Sequence, residues 1–169
     1  MRENKLEVVL VEPEIPANTG NISRTCVVLG IPLHICGQPA FSLDDKAVKR
    51  AGLDYWHQLD LSLWDSLEAL MQSRREAQFF YATTKATQRY DQVSYSGTVM
   101  LVFGKETKGL PEPLLLAHPE RCIRIPMRPT LRSLNLSNAV AICAYEVMRQ
   151  WDFPLLENTN TDLFGGISF

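Results

Sequence analysis

The sequence lacks the patterns that would indicate a disulfide framework, a metal site or a membrane segment. Its four cysteines form no C-x-x-C pair and lie inside apolar runs, as buried thiols do in a reducing compartment, so we expect a cytoplasmic protein. Its three histidines are isolated and lack metal-ligand spacing, so no metal is expected. No apolar run reaches membrane-spanning length and no signal-peptide pattern is present, so no membrane contact is expected.

Charge of one sign is missing from two stretches of the chain. Between Arg121 and Tyr145 there are four arginines and no carboxylate, whereas no basic residue follows Arg149. The formal net charge of -2 argues against a general polyanion binder. A local basic stretch fits a site that meets phosphate at one place, and a solvated arginine-rich loop explains the same pattern equally well.

Two common nucleotide-binding patterns are also absent. Gly104 and Gly109 follow an apolar run at nearly the spacing of a P-loop, but Leu110 and Pro111 stand where that loop needs Lys and then Ser or Thr. The G-x-G-x-x-G spacing is not found, which argues against a doubly wound nucleotide or flavin enzyme. The segment predicts either a plain strand-to-helix turn or a glycine loop serving a ligand without a triphosphate.

Short apolar runs alternate with amphipathic segments, which predicts an α/β protein with a mainly parallel sheet flanked by helices. The predicted strands are residues 6–11, 33–36, 79–82, 99–103 and 122–125. Helices are predicted to start with Asn18 as a cap, near Asp44, at Ser62, at Pro111, and with Ser137 or Asn138 as a cap. Residues 1–154 are expected to form a single domain, and residues 155–169 a tail that is mobile or docks.

Three polar segments lie close to the ends of apolar runs: residues 18–24, residues 104–110, and residues 126–127 followed by 132–138. Polar turns after parallel strands gather ligands because their backbone amides are unpaired, so we expect one site assembled from distant parts of the chain. The third segment places Ser133, Asn135, Ser137 and Asn138 next to Arg132. Capping a helix needs only one or two such side chains, and the surplus indicates ligand contacts.

These three segments, in this order and at these distances, resemble the SpoU branch of the SPOUT RNA methyltransferases from about residue 6 to residue 151. Residues 12–16, 50–55 and 123–127 are similar to the small YibK/TrmL-type members. The resemblance implies an α/β-knot fold with a C-terminal trefoil knot around the cofactor, and a homodimer whose interface borders the site. It also implies methylation of the ribose 2′-hydroxyl of the tRNA wobble nucleotide, a cytidine or modified uridine at position 34. The donor would be S-adenosyl-L-methionine (SAM) and the product S-adenosyl-L-homocysteine.

The resemblance also assigns residues to roles. The cofactor contacts it implies, largely through the backbone, are Ala82, Gly104, Ile125 and Ser133. Arg24 is placed at the 2′-hydroxyl; because arginine stays protonated in proteins, we interpret it as gripping the adjacent phosphate, with Tyr145, Ser133 or a water relaying the proton. Further candidates for substrate or RNA contacts are Asn18, Glu106, Arg128, Arg132 and Asn135.

Two alternatives remain open at this point. The chain could methylate another ribose of tRNA or rRNA, or it could be an inactive RNA- or nucleoside-binding module of the same fold. The set of Arg24, Glu106 and residues 133–135 argues against a module that has lost transfer.

Overall fold

The computed structural model describes residues 3–44 and 46–157, and of residues 52–54 it describes the backbone alone. In this part of the chain six strands form one sheet in the order β3-β2-β1-β5-β4-β6, and every neighbouring pair is parallel. The predicted α/β class with a mainly parallel sheet is confirmed. The strands are β1 (Lys5–Val11), β2 (Leu33–Cys36), β3 (Leu61–Trp64), β4 (Gln78–Ala82), β5 (Thr98–Phe103) and β6 (Cys122–Ile123).

Within the described ranges, five helices connect and cover these strands. α1 has Pro16 at its first position, where the missing amide costs nothing, and ends at Gly30, whose φ of 65° suits glycine. Short 3-10 turns span Leu53–Gln58, Tyr90–Gln92 and Pro119–Arg121. The helices are α1 (Pro16–Leu29), α2 (Lys46–Gly52), α3 (Leu67–Ser73), α4 (Glu112–Ala117) and α5 (Leu136–Gln150).

Apart from the edge strand β3, the sheet is buried on both faces, which explains why those strands are nearly continuous apolar runs. Successive residues of β1 point to opposite faces, so Val8 and Leu10 join one buried cluster and Val9 joins the other. The first cluster includes residues of α1 and α5, and the second includes residues of α3. All four cysteines are free and buried, as expected from their apolar surroundings.

The strand order reverses between β1 and β5, the two central neighbours. β2 and β3 extend the sheet to one side of β1, while β4 and β6 extend it to the other side of β5. Loops that leave the carboxyl ends of β1 and β5 therefore diverge and leave a crevice between them. Parallel α/β sheets bind ligands at such a reversal.

One predicted helix start is wrong. Residues 61–64 form β3, which pairs in parallel with β2, and α3 begins only at Leu67. The cap is Ser66, whose hydroxyl accepts a hydrogen bond from the Ala69 amide at 3.1 Å, rather than Ser62. The short apolar stretch fits either period, and pairing with β2 decides in favour of a strand.

Two predicted caps and one strand end are also wrong. α1 begins at Pro16, so Asn18 lies within its first turn, and α5 is capped by Asn135 rather than by Ser137 or Asn138. The Asn135 side-chain oxygen accepts from the Ser137 amide at 2.9 Å. β6 ends at Ile123 instead of residue 125, because beyond it only an isolated bridge to residue 89 continues the pairing.

A buried polar network crosses the first three strands. The Trp64 indole donates to His34 Nδ1 at 3.1 Å, so His34 Nε2 carries the proton and donates to the Glu7 carboxylate at 2.7 Å. Burial pushes the pKa of Glu7 upward, but the hydrogen bond from His34 and the nearby cations outweigh it and hold that pKa below its usual range. The bond therefore stabilises the fold above the ordinary carboxyl pKa and is lost as the pH falls through the lowered one.

The predicted tail falls mostly outside the described residues, which reach only its first three positions. Among those, Leu155 is fully exposed and Leu156 packs against the core.

Candidate functional site

A cavity of about 770 Å³ opens at the carboxyl ends of the central strands, in the size range of small-molecule sites. Its walls come from the ends of β4 and β5, from the loop after β5, from the loop between β6 and α5, and from the first turns of α1 and α5. The apolar part of the lining includes Phe103, Ile123, Ile125, Leu136 and Ala139.

The structure brings most of the sequence-predicted positions to this cavity. The four positions proposed for the cofactor, Ala82, Gly104, Ile125 and Ser133, all line it. The lining also includes four of the proposed substrate positions, namely Asn18, Glu106, Arg132 and Asn135. Arg24, Tyr145 and Arg128 are not among its lining residues.

Glu106 is the centre of the contacts between the first two segments. Its carboxylate accepts hydrogen bonds from the backbone amides of Glu14 at 2.8 Å and Ile15 at 3.0 Å. It also accepts from the side-chain amide of Asn18 at 3.2 Å. These amides lie at the start of α1, where the helix dipole favours negative charge. Glu106 therefore caps a helix that lies about ninety positions away in sequence.

Glu14 makes the reciprocal contact, since its carboxylate binds the loop that carries Glu106. Its carboxylate accepts from the Thr107 amide at 3.0 Å and from the Thr107 hydroxyl at 2.8 Å. These two bonds hold the pKa of Glu14 below its usual range. Beside them, the Lys105 ammonium lies 3.2 Å from a Glu12 oxygen. Each loop thus satisfies backbone donors of the other.

The third segment is attached through the side chain of its helix cap. The Asn135 side-chain amide donates to the Asn18 side-chain oxygen at 3.0 Å. Because Asn18 in turn donates to Glu106, one continuous chain of hydrogen bonds joins α1, the loop after β5 and the start of α5. The three segments that were expected to meet therefore do so within a single polypeptide.

The glycine loop after β5 is shaped by its own backbone. A side chain on Gly104 would place its Cβ 2.1 Å from the Gly109 carbonyl carbon and 2.3 Å from the Leu110 nitrogen. The Gly109 amide donates to the Lys105 carbonyl at 2.8 Å, and Gly109 has a φ of 67°. Both glycines are therefore required for the loop to close on itself, whether or not a ligand approaches it.

The cavity is suited to an adenosyl group because several backbone polar atoms in its wall have no hydrogen-bond partner among the described residues. In the described part of the chain, the backbone amides of Met127, Ser133 and Leu134 make no hydrogen bond, although these residues line the cavity. Backbone donors and acceptors beside an apolar floor suit a heterocycle and a ribose, which combine flat apolar faces with polar edges. Residues of this chain could therefore hold SAM without a metal.

Four basic side chains, Lys85, Lys105, Lys108 and Arg132, line the cavity. Lys85 is paired with Glu112, and Lys105 with Glu12. Lys108 and Arg132 form no ion pair within the described residues, nor does Arg128, which is exposed on the same loop as Arg132. Unpaired cations at one rim favour an anionic partner that covers the mouth.

The two residues proposed for catalysis lie on outward faces of neighbouring helices. Arg24 is exposed on α1, with its guanidinium carbon 5.3 Å from the centroid of the Tyr55 ring. Tyr145 on α5 is 43% exposed, and its ring centroid lies 6.5 Å from that of Phe153. Within one chain, neither completes the cavity.

Sequence reasoning did not assign roles to Glu14 or Lys108, which the structure places in the site region. Both belong to segments singled out from the sequence, and Lys108 lies between the two loop glycines. No local pattern indicates that Glu14 bonds a loop so far along the chain.

Neither a metal-binding cluster nor a helix that could cross a membrane occurs among the described residues. No group of three or more His, Cys, Asp or Glu side chains there is arranged to hold a metal ion. The longest helix in that part, α5, has 15 residues, and none combines the length and apolar character needed to cross a bilayer.

Comparison with known proteins gives a consistent family. A family model described as the SpoU rRNA Methylase family matches residues 5–145. A protein of Listeria innocua is 50% identical over 159 residues, covering 92% of this chain and 94% of its own length. The tRNA (cytidine(34)-2'-O)-methyltransferase of Escherichia coli K12 is 46% identical over 150 residues, covering 88% of this chain and 96% of its own length.

Solved structures extend the similarity to three dimensions. One, from work on the 2-OH methylation of C/U34 on tRNA, is 41% identical with a TM-score of 0.83, covering 88% of this chain and 97% of its own. The SpoU methyltransferase AviRb of Streptomyces viridochromogenes, solved with AdoMet, is 25% identical with a TM-score of 0.79. That match covers 90% of this chain and 60% of AviRb. The resemblance found in the three loop segments is therefore confirmed, and the chain belongs to the SpoU rRNA methylase family.

Proposed function

We propose that this protein is a SAM-dependent methyltransferase that methylates the ribose 2′-hydroxyl of nucleotide 34, cytidine or modified uridine, in tRNA. The observation that carries the proposal is the hydrogen-bonded chain Glu106–Asn18–Asn135, which holds three loops around one cavity at the reversal of strand order. The relatives named for the same position of tRNA support the choice of substrate.

The proposed chemistry divides between cofactor and protein. Bound in the cavity, SAM would supply an electrophilic methyl group for in-line transfer to an oxygen. Ala82, Gly104, Ile125 and Ser133 would hold it and exclude water, so most of the rate gain comes from alignment of the hydroxyl. Arg24 would grip the phosphate beside the reacting ribose, and Tyr145, Ser133 or a water would accept the hydroxyl proton.

Mass spectrometry of tRNA nucleosides tests this function directly. Unmodified tRNA is incubated with the protein and SAM carrying a labelled methyl group, and the digest is searched for labelled 2′-O-methylcytidine and 2′-O-methyluridine derivatives. Fragment mapping should place the label at position 34. Label at another ribose would overturn the assignment of position, and its absence from every tRNA and rRNA would overturn the activity. Calorimetry with SAM then separates an inactive binding module from an enzyme tested with the wrong RNA.

We further propose that the basic loop with Arg128 and Arg132 contacts tRNA phosphates. Each Arg→Ala substitution is expected to weaken tRNA binding and to reduce the slope of log K against log salt by about 1. Binding is measured by titration at several salt concentrations. Arg75→Ala is the matched control, because Arg75 is exposed just before β4, near the amino end of that strand and away from the carboxyl ends that form the cavity. An unchanged slope in Arg128→Ala and Arg132→Ala would exclude this loop as the RNA contact.

We also propose a homodimer in which each subunit supplies Arg24 to the other's cavity. Its support is that Arg24 and Tyr145 lie outside the cavity on exposed helix faces. Those helices also expose apolar side chains, Val28 (49%) on α1 and Ile142 (36%) on α5. A two-fold dimer would bury such surfaces against each other.

Mixed dimers test this arrangement. Arg24→Ala and Gly104→Ala subunits, each inactive alone, are co-expressed with different tags. If Arg24 acts across the interface, each dimer that carries both tags has one intact site of two, and its activity returns to about half of wild type. The measurement is labelled methyl transfer to tRNA by the doubly purified mixture. No recovery in verified mixed dimers would mean that Arg24 acts within its own subunit.

The remaining expectations are proposed on the same basis. We propose that residues 1–154 form one domain with a C-terminal trefoil knot in a cytoplasmic protein. The knot is supported by the path of the chain, since β6 lies at one edge of the sheet and α5 then returns to pack near β1 and β5. The loop after β5 and the segment between β6 and α5 line the same cavity, as this proposed path requires.

A further inference from the structure

The Arg24 side chain rests on an aromatic ring supplied by another element. Its guanidinium carbon lies 5.3 Å from the centroid of the Tyr55 ring, within the roughly 6 Å range of cation–π attraction. Arg24 belongs to α1, and Tyr55 to the 3-10 turn Leu53–Gln58 that packs beside it. The contact therefore joins two parts of the chain about thirty positions apart.

Arg24 differs from Arg89 and Arg149 in what it does not contact. Arg89 is bonded to Asp91 through two of its nitrogens, and Arg149 is bonded to Glu146 in the same way. Among the described residues, Arg24 has no hydrogen bond and no ion pair. In that part of the chain the Tyr55 ring is therefore what holds Arg24, and the five N–H donors of the guanidinium remain open to a ligand.

This mode of support has a specific physical consequence. A carboxylate partner would hold a guanidinium by occupying its donors and by cancelling its charge, whereas a ring face holds it without doing either. A free arginine loses much rotamer freedom when it grips a phosphate, and an arginine already placed against a surface loses less. Tyr55 is 37% exposed, so the pair lies where RNA can reach it.

We propose that Tyr55 is a positioning residue for Arg24: its ring holds the guanidinium in place so that the donors face the RNA phosphate beside the reacting ribose. The inference rests on the proposed function and adds a residue to it. Tyr55 itself touches no reacting atom in this proposal, and its hydroxyl is not required.

The first arm of the test compares single variants. Tyr55→Leu is expected to lower kcat/KM for tRNA about tenfold, because the guanidinium is no longer held in line. Tyr55→Phe keeps the ring and should stay within about twofold of wild type. The Kd for SAM, measured by calorimetry, should be unchanged in both variants, because Tyr55 is not among the residues lining the cavity. Equal losses in both variants would overturn the proposal, since they would implicate the hydroxyl.

The second arm is a double-mutant cycle measured by tRNA affinity, because Arg24→Ala is expected to leave too little rate to measure. Tyr55→Leu should weaken binding in the wild-type background and add nothing in the Arg24→Ala background. An equal loss in both backgrounds would mean that Tyr55 acts independently of Arg24, and would overturn the proposal. Thermal melts check folding, and Tyr55→Met, which keeps apolar bulk without a ring face, replaces Tyr55→Leu if that variant unfolds.

The outcomes separate this inference from the function on which it rests. If wild type forms no 2′-O-methyl nucleoside, or if Arg24→Ala is fully active, the proposed function or its arginine fails first. If wild type is active, Arg24→Ala is inactive and Tyr55→Leu is as active as wild type, only the positioning role of Tyr55 is overturned.

Discussion

Arg24→Ala is expected to abolish methyl transfer, lowering kcat at least about a thousandfold, while the Kd for SAM stays within about twofold of wild type. The rate should fall because the proposed grip on the phosphate aligns the hydroxyl with the methyl group. The affinity should persist because Arg24 is not among the residues lining the cavity. Single-turnover transfer of labelled methyl groups to tRNA and calorimetry with SAM measure the two quantities.

Arg75→Ala controls for the loss of a surface arginine. Arg75 is exposed next to the amino end of β4, away from the carboxyl ends that form the cavity, so its removal should change neither quantity. A nearly normal kcat for Arg24→Ala would end the assignment of Arg24. A large loss of SAM affinity would instead place Arg24 at the cofactor.

Gly104→Ala is expected to weaken SAM binding at least about a hundredfold and to remove activity with it. Its Cβ would lie 2.1 Å from the Gly109 carbonyl carbon, and the three nearest atoms all belong to the backbone, so no side chain can rotate away. Overpacking of this kind costs about 1–3 kcal/mol and shifts the loop that lines the cavity. Calorimetry with SAM and a thermal melt report the two effects.

Gly97→Ala separates loop displacement from general destabilisation. Gly97 has a φ of 66° and nothing within 4 Å of an added Cβ, and it precedes β5 at the edge away from the cavity. Alanine there costs about 1–2 kcal/mol of backbone strain and should lower Tm without changing the Kd for SAM. Normal SAM binding by Gly104→Ala would show that the loop tolerates the side chain and that the cavity does not depend on its closure.

The meeting of the three loop segments could be predicted because parallel strands place all their carboxyl ends at one edge. Gly104 directly follows an apolar run, Gly109 lies five residues further on, and that run is β5, one of the two central strands. The four cofactor positions came from the resemblance rather than from spacing, and all four line the cavity. Their role in binding stays a prediction until a ligand is measured.

Local boundaries were harder to predict because several residues compete for each cap. Ser62 and Ser66 both precede apolar residues, and only the pairing of β3 with β2 selects Ser66. Asn135 caps α5 instead of Ser137, and the Asn135 side chain is also held by a hydrogen bond to Asn18 from a distant part of the chain. In both cases a contact distant in sequence decided between locally equivalent choices.

The positions of Arg24 and Tyr145 relative to the cavity could not be predicted from helical spacing. Spacing shows that Arg24 lies off the buried stripe of α1, as the structure has it, but not what the exposed face meets. The contact between Arg24 and Tyr55 depends on how the turn Leu53–Gln58 packs against α1, which no local pattern encodes.

The exchange of carboxylates between Glu14 and Glu106 has a consequence for how this region opens. The amides of Glu14 and Ile15 depend on the loop after β5, while the amide of Thr107 depends on the loop after β1. Neither loop can detach without exposing donors of both, so the two form one cooperative unit that opens together. Thermal fluctuations at the mouth are thereby tied to the first turn of α1, and the site is preorganised before any ligand arrives.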